Sequence, residues 1–186
     1  PNGGTVDGCN GGGFIIKIES GGEQEFLVLN DGKSKIEFYD PKAAKLNDVE
    51  TEFISDMMIG VTNTDSDWVI SDKIDIPTFV DYWLVEEFAR NNEGFTRSQY
   101  WYTFGVHQND PNQVGCESEG GCVDYKFYMG PVWDFNHSFG GIITETERWS
   151  TEIFYAVSDF WYKLIMQPAF KNEVKRRWAE TKYDIF

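Results

Sequence analysis

Positive charge is what this chain has least of. Its 16 Lys and Arg stand against 31 Asp and Glu, for a formal net charge of −15. Nucleic-acid binders and partners of anionic membranes present basic surfaces, so both classes are argued against. A phosphate-bearing ligand would need positive charge brought with it, most simply as a divalent metal. The plainer meaning of the acidic excess is a solvated surface. Cysteine is scarce too. Cys9, Cys116 and Cys122 are the only three, with no Cys-x-x-Cys pair and no His/Cys cluster to hold zinc. Cys116 and Cys122 bracket a polar, Gly-rich loop and can close a small disulfide ring, leaving Cys9 over. The alternative is three free thiols in a reducing compartment. No apolar run approaches the length of a membrane span. No signal peptide is present, and a chain opening on Pro1 reads as a piece of something longer.

What is present suits a folded protein. A hydrophobic fraction of 41% and an aromatic fraction of 17% argue against global disorder. At 186 residues the simplest organisation is one domain with a substantial core.

Residues 1 to 13 are mostly Gly, Asn, Asp and Thr and read as a flexible loop. Their glycine runs invite a phosphate-loop reading. No Lys-Ser/Thr pair follows, however, and the next element is a strand where such a loop needs a helix. Phe14 to Glu19 alternates as a strand, Phe26 to Leu29 is a second, and Lys35 to Tyr39 a third beyond the Asn30-Asp31-Gly32 turn. The period then changes. Leu46, Val49, Phe53 and Met57 share a helical face ended by Gly60. Residues 62 to 74 are polar and read as loop. Asp75 caps the strongest helix, with Pro77 in its first turn and an apolar stripe of Phe79, Val80, Trp83, Leu84 and Phe88. It should stop near Asn91-Asn92, with Gly94 as the break. Residues 98 to 104 and Lys126 to Met129 are strand-like and form a hairpin around a long polar tip. Two helices follow, about 152 to 166 and 169 to 183, with Pro168 at the boundary. The last is the most basic segment. A solvated face with Trp178 packed inward is the plain reading, and a phosphate-binding surface the other.

The chain is organised around Gly130-Pro131-Val132-Trp133-Asp134-Phe135-Asn136-His137-Ser138-Phe139-Gly140. Pro131 cannot donate to a ladder, so regular pairing ends there. Gly140 and Gly141 mark a tight turn that needs φ above zero. Asp134 sits directly after a strand between two aromatics, where an unpaired carboxylate is costly. Either it caps the following turn or it holds a metal ion, a cation or backbone N–H groups. A second polar segment, Asn91 to Ser98, follows a helix. One carboxylate to position a hydroxyl and another to hold magnesium on phosphates are what phosphoryl transfer requires. Glu93 is followed five positions on by Ser98, an oxygen ligand at the spacing where kinase loops carry an amide, and Asp134-Phe135 loosely echoes their metal-binding Asp-Phe-Gly.

With these residues in view, the sequence resembles the CotH family, the spore-coat protein H group of atypical, secretory-type protein kinases. The likeness rests on 75–100, on 128–140, its most specific part, on the Trp161 to Trp178 tail, and on Gly12-Gly13-Phe14-Ile15-Ile16-Lys17-Ile18-Glu19. It implies an α+β fold, protein-kinase-like, consisting mainly of the helical C-lobe with a small β region at the N-terminus. It implies ATP and Mg2+ or Mn2+ as cofactors and Ser/Thr of secreted or cell-surface proteins as acceptor. By the same likeness Glu93 and Asn91 are catalytic, Ser98 and Asp134 touch the cofactor, and Asp134, Ser98 and Asn91 ligate the metal.

Two departures follow from the comparison of motifs. Glu93 stands where the family has aspartate, which displaces the carboxylate by more than about 1 Å; a shift of that order can cost ~10²-fold in rate. Asn136 stands where a second acid is frequent. The amino-terminal, ATP-clamping portion with its lysine is expected to be missing, and no replacement is seen in residues 1 to 60. Residues 1–186 then read as one partial domain, inactive by itself. The alternatives are a non-catalytic extracellular binding module, adhesin- or invasin-like or an accessory of a secreted polysaccharide-degrading complex, and a carbohydrate binder using exposed aromatics.

Overall fold

The computed structural model describes residues 13–19, 25–28, 35–46, 51, 58, 73–91, 93–103, 126–140 and 159–185. The three cysteines, the Asn30-Asp31-Gly32 turn, Gly141, the hairpin tip and most of the 46–60 helix lie outside these residues. The fold is α+β. Strands β1 (Ile15–Glu19), β2 (Glu25–Val28) and β3 (Lys35–Asp40) come first. Helix α1 (Ile76–Ala89), strands β4 (Gln99–Tyr102) and β5 (Tyr128–Met129), and helices α2 (Asp159–Met166) and α3 (Pro168–Ile185) follow.

The strands make one sheet in the order β2-β3-β1-β4-β5, with every pairing antiparallel. The expected hairpin is present, Trp101 lying opposite Met129. It joins the N-terminal strands in one sheet. β1 has two edges to fill, and β3 takes one while β4 takes the other, Lys17 pairing with Glu37 on one side and Tyr100 on the other. The seam is locked where Phe14 N–H donates to Thr103 Oγ1 at 3.1 Å and Thr103 N–H donates back to the Phe14 carbonyl at 2.9 Å.

Alternation sorts the sheet into two faces, because successive strand side chains point oppositely. Phe14, Ile16, Ile18, Ile36, Phe38, Trp101 and Met129 are buried against the helices. Lys17, Tyr39, Tyr100 and Tyr128 stand on the other face, half-buried or exposed.

α1 begins as the sequence predicts. Asp75 Oδ1 accepts from Thr78 N–H at 3.0 Å, with Pro77 in the first turn. Its buried face differs from the expected stripe. Phe79, Val80, Tyr82, Glu86 and Ala89 are inside, whereas Phe88 is 50% exposed. The break differs too. Arg90, not Gly94, takes the left-handed conformation at φ 56°, its N–H bonding back to the Glu86 and Glu87 carbonyls. Asn91 N–H then reaches the Glu86 carbonyl at 3.0 Å, completing the paired bonds of a Schellman ending.

The core is aromatic. Trp161 of α2 stacks on Tyr82 with ring centroids 5.8 Å apart and meets Phe95 edge-on at 5.5 Å. Pro168 lies at the boundary between α2 and α3, as the sequence predicts, and opens α3, since a first-turn N–H has no intrahelical acceptor to lose. On α3, Phe170 is buried while Trp178 is 40% exposed, so Trp178 does not pack fully inward. Its two arginines are paired: Arg177 with Asp81 of α1 at 2.5 Å, and Arg176 with Glu173 and Glu180, each at 2.5 Å.

Candidate functional site

Two loops meet at one end of the sheet. The first, 91–98, leaves α1 and enters β4. It is held from below at four points. Asn91 N–H bonds the Glu86 carbonyl, Tyr82 Oη donates to the Gly94 carbonyl at 2.9 Å, Phe95 is buried against Trp161, and Thr96 and Arg97 N–H groups both donate to the Glu93 carbonyl. The second loop, 130–140, leaves β5. Gly130 N–H donates to the Tyr100 carbonyl at 3.0 Å and closes the pairing where Pro131 can no longer donate.

Asp134 is where the loops touch. Asn91 Nδ2 donates to the Asp134 carbonyl at 3.3 Å, and Ser98 Oγ lies 3.5 Å from Asp134 Oδ2. Asn136 Nδ2 donates to Asp134 Oδ1 at 2.7 Å. Asp134 and Ser98 both have left-handed backbones, at φ 59° and φ 57°. Neither is glycine, so each conformation costs about 1–2 kcal/mol, and such residues cluster at functional sites. A positive φ also occurs in the turn beyond, at Phe139, φ 50°.

The turn itself is closed by the Phe135 carbonyl, which accepts from Ser138 N–H at 3.1 Å and from Ser138 Oγ. Among the described residues Asp134 accepts no backbone N–H, so it does not cap that turn. Nor do its aromatic neighbours enclose it. Trp133 is 39% exposed and turns to Tyr100 and to Lys17, whose Nζ lies 5.1 Å from the Trp133 ring and 2.9 Å from Glu19.

Glu93 stands apart from the oxygen cluster. It is buried, and Oε1 meets the Arg97 guanidinium one turn away and His137 Nδ1 at 3.4 Å. Among the described residues no hydrogen bond or ion pair joins Glu93 to Asp134. His137, three residues beyond Asp134, bridges the two loops instead. Sequence reading passed over Arg97 and His137. The Glu93–Arg97 spacing of four was the available signal, since oppositely charged residues so spaced pair on a helical turn.

The third residue missed is Glu86, fully buried beneath the first loop. Burial pushes its carboxyl up from 4.5 to about 7, with Asn91 and Tyr82 pulling weakly the other way. The neighbouring Tyr82 hydroxyl is raised well above its ordinary range, first by burial and then by the Glu86 charge.

Asn91, Ser98 and Asp134 thus come together as an amide, a hydroxyl and one carboxylate. Asn91 Oδ1 is buried and has no hydrogen-bond partner among the described residues. A hard oxygen set with a single carboxylate suits Mg2+ or Mn2+ better than zinc, because Mg2+ completes its shell with phosphates and water. No group of three or more His, Cys, Asp or Glu gathers among the described residues, and no helix among them is long and apolar enough to cross a membrane.

A family model described as CotH kinase protein matches residues 7–186. No curated protein and no solved structure matches the chain.

Proposed function

The chain belongs to the CotH kinase family, and on that premise we propose that it serves transfer of the ATP γ-phosphoryl group to Ser or Thr of secreted or cell-surface proteins. The observation that carries this reading is the meeting of Asn91, Ser98 and Asp134 at two left-handed residues. A kinase-like arrangement of the α+β fold is what the family name implies. ATP with a divalent cation supplies, when bound, the phosphoryl group and the neutralisation of its charge.

The remaining work falls to side chains. The Asp134 carboxylate, with the Ser98 hydroxyl and the Asn91 amide oxygen, would hold the cation. Glu93 would accept the proton of the acceptor hydroxyl, and a positioned general base contributes about 10²–10⁴-fold. Arg97 and His137 would orient that carboxylate. Phe95 and the Tyr82–Gly94 hydrogen bond keep the loop from shifting.

The engagement of Glu93 by Arg97 favours a second reading. A carboxylate already paired with a guanidinium is less free to accept from an acceptor hydroxyl, and a nucleotide-binding module without transfer would tolerate that pairing. Phosphate transfer from radiolabelled ATP to casein by the full-length protein decides between them. The kinase reading expects transfer that falls by about 10²–10⁴-fold in Glu93→Gln while Mg2+-dependent nucleotide binding persists. Binding without transfer in the wild type is the outcome that establishes the module.

A further inference from the structure

Glu86 is an acid in an environment that disfavours it. It is 0% exposed, and neither carboxylate oxygen has a hydrogen bond of good geometry among the described residues. Burying such a group costs several kcal/mol, and an apolar side chain of similar size would fill the space without that cost. Packing therefore does not account for it.

Its surroundings do. The Glu86 main-chain carbonyl accepts the Asn91 N–H, and the Asn91 amide and Tyr82 hydroxyl each favour the ionised form of its carboxyl against the effect of burial. It also lies flat against Gly94, where a Cβ would come within 2.4 Å of both Cδ and Oε2. Only glycine leaves room for the carboxylate under this loop.

Asn91 is equally buried. Its amide nitrogen donates to the Asp134 carbonyl, and its amide oxygen has no partner among the described residues. An amide can present either end to a cavity, and only the oxygen can ligate a cation. Something must hold the nitrogen end inward, and an anionic acceptor does this better than a neutral one.

We propose that Glu86 is a positioning residue, its carboxylate drawing the Asn91 amide nitrogen inward so that the Asn91 oxygen is offered to the nucleotide-bound divalent cation. This rests on the reading of Asn91, Ser98 and Asp134 as the cation site. Carboxylates that orient a ligand from behind typically change metal affinity 10–100-fold.

The test is calorimetric titration of a non-hydrolysable ATP analogue into the full-length protein, with and without Mg2+. The variants are Glu86→Gln, Glu86→Leu, Asn91→Ala and the double variant Glu86→Gln/Asn91→Ala. Glu86→Gln keeps the volume and removes a buried charge, so it should fold. The expected result is about a tenfold loss of Mg2+-dependent affinity, a larger loss in Glu86→Leu, and no further loss when Glu86→Gln is added to Asn91→Ala. Equal binding by Glu86→Gln and wild type overturns the proposal, as do losses that simply add, since independent effects are additive. A wild type that binds the analogue identically with and without Mg2+ overturns the nucleotide reading itself, and the Glu86 role with it.

Discussion

Ser98 Oγ and Asp134 Oδ2 face each other at 3.5 Å, each carried by a residue with left-handed backbone. The two lie on different loops, one entering β4 and one leaving β5. Pairing of β4 with β5, Trp101 against Met129 and Tyr102 against Tyr128, brings the loops to the same end of the sheet. Gly130 N–H on the Tyr100 carbonyl sets where the second loop departs. Two conformationally costly residues in contact mean that the surrounding structure over-determines both.

Asp134→Asn should abolish most Mg2+-dependent nucleotide affinity while leaving thermal stability nearly unchanged. An amide can occupy the same space beside Asn136 and Ser98, so the fold loses little. It lacks the negative charge that draws the cation. Titration of Mg2+ and an ATP analogue into both forms measures this, and identical isotherms would remove Asp134 from the site.

Glu86 should make stability depend on pH in an unusual direction. In the unfolded chain its carboxyl ionises near 4.5, and in the fold near 7. Between these values the fold holds a proton that the unfolded chain has released, so stability falls as pH rises. The penalty is absent below 4.5, complete above 7, and on the order of 3 kcal/mol. Glu86→Gln should therefore melt higher than wild type at pH 8, with the difference vanishing by pH 4.5. Melting curves across that window check it, and a gap that is constant with pH would refute the buried, raised carboxyl.

Asp75→Ala should cost about 1 kcal/mol, the usual worth of a helix N-cap, with no change in nucleotide binding. Asp75 Oδ1 satisfies Thr78 N–H, and Thr78 Oγ1 in turn accepts from Met129 N–H at 3.2 Å. The cap thus steadies the junction of α1 with β5 without touching the candidate site. Urea unfolding gives the loss, and an unchanged midpoint would show that Thr78 is held by packing alone.

Local patterns were legible where one physical rule governs them. Alternation of Phe14, Ile16 and Ile18 follows from the strand period, and the Asp75 cap with Pro77 follows from the unbonded N–H groups of a first turn. Glu86 was passed over because no local rule marks it. A Glu-Glu pair near a helix end looks like a solvated face, and only the packing of Trp161, Phe95 and the Gly94 loop over α1 puts Glu86 inside. Phe88 and Trp178 show the reverse error, large aromatics left half in water because the helices present other residues to the core.

The sequence by itself determined the strands, the capped helix, the acidic surface and, through its likeness to a family, the identity of Asn91, Glu93, Ser98 and Asp134 as residues of interest. Those are properties of neighbours along the chain, set by side-chain period, caps and turn chemistry. Tertiary structure alone decided that Asn91 and Ser98 converge on Asp134, that Glu93 is held by Arg97 and His137, and that an acid lies buried beneath Asn91. Such contacts depend on which strand edges pair and which helix face turns inward, and those choices are made by the whole core at once.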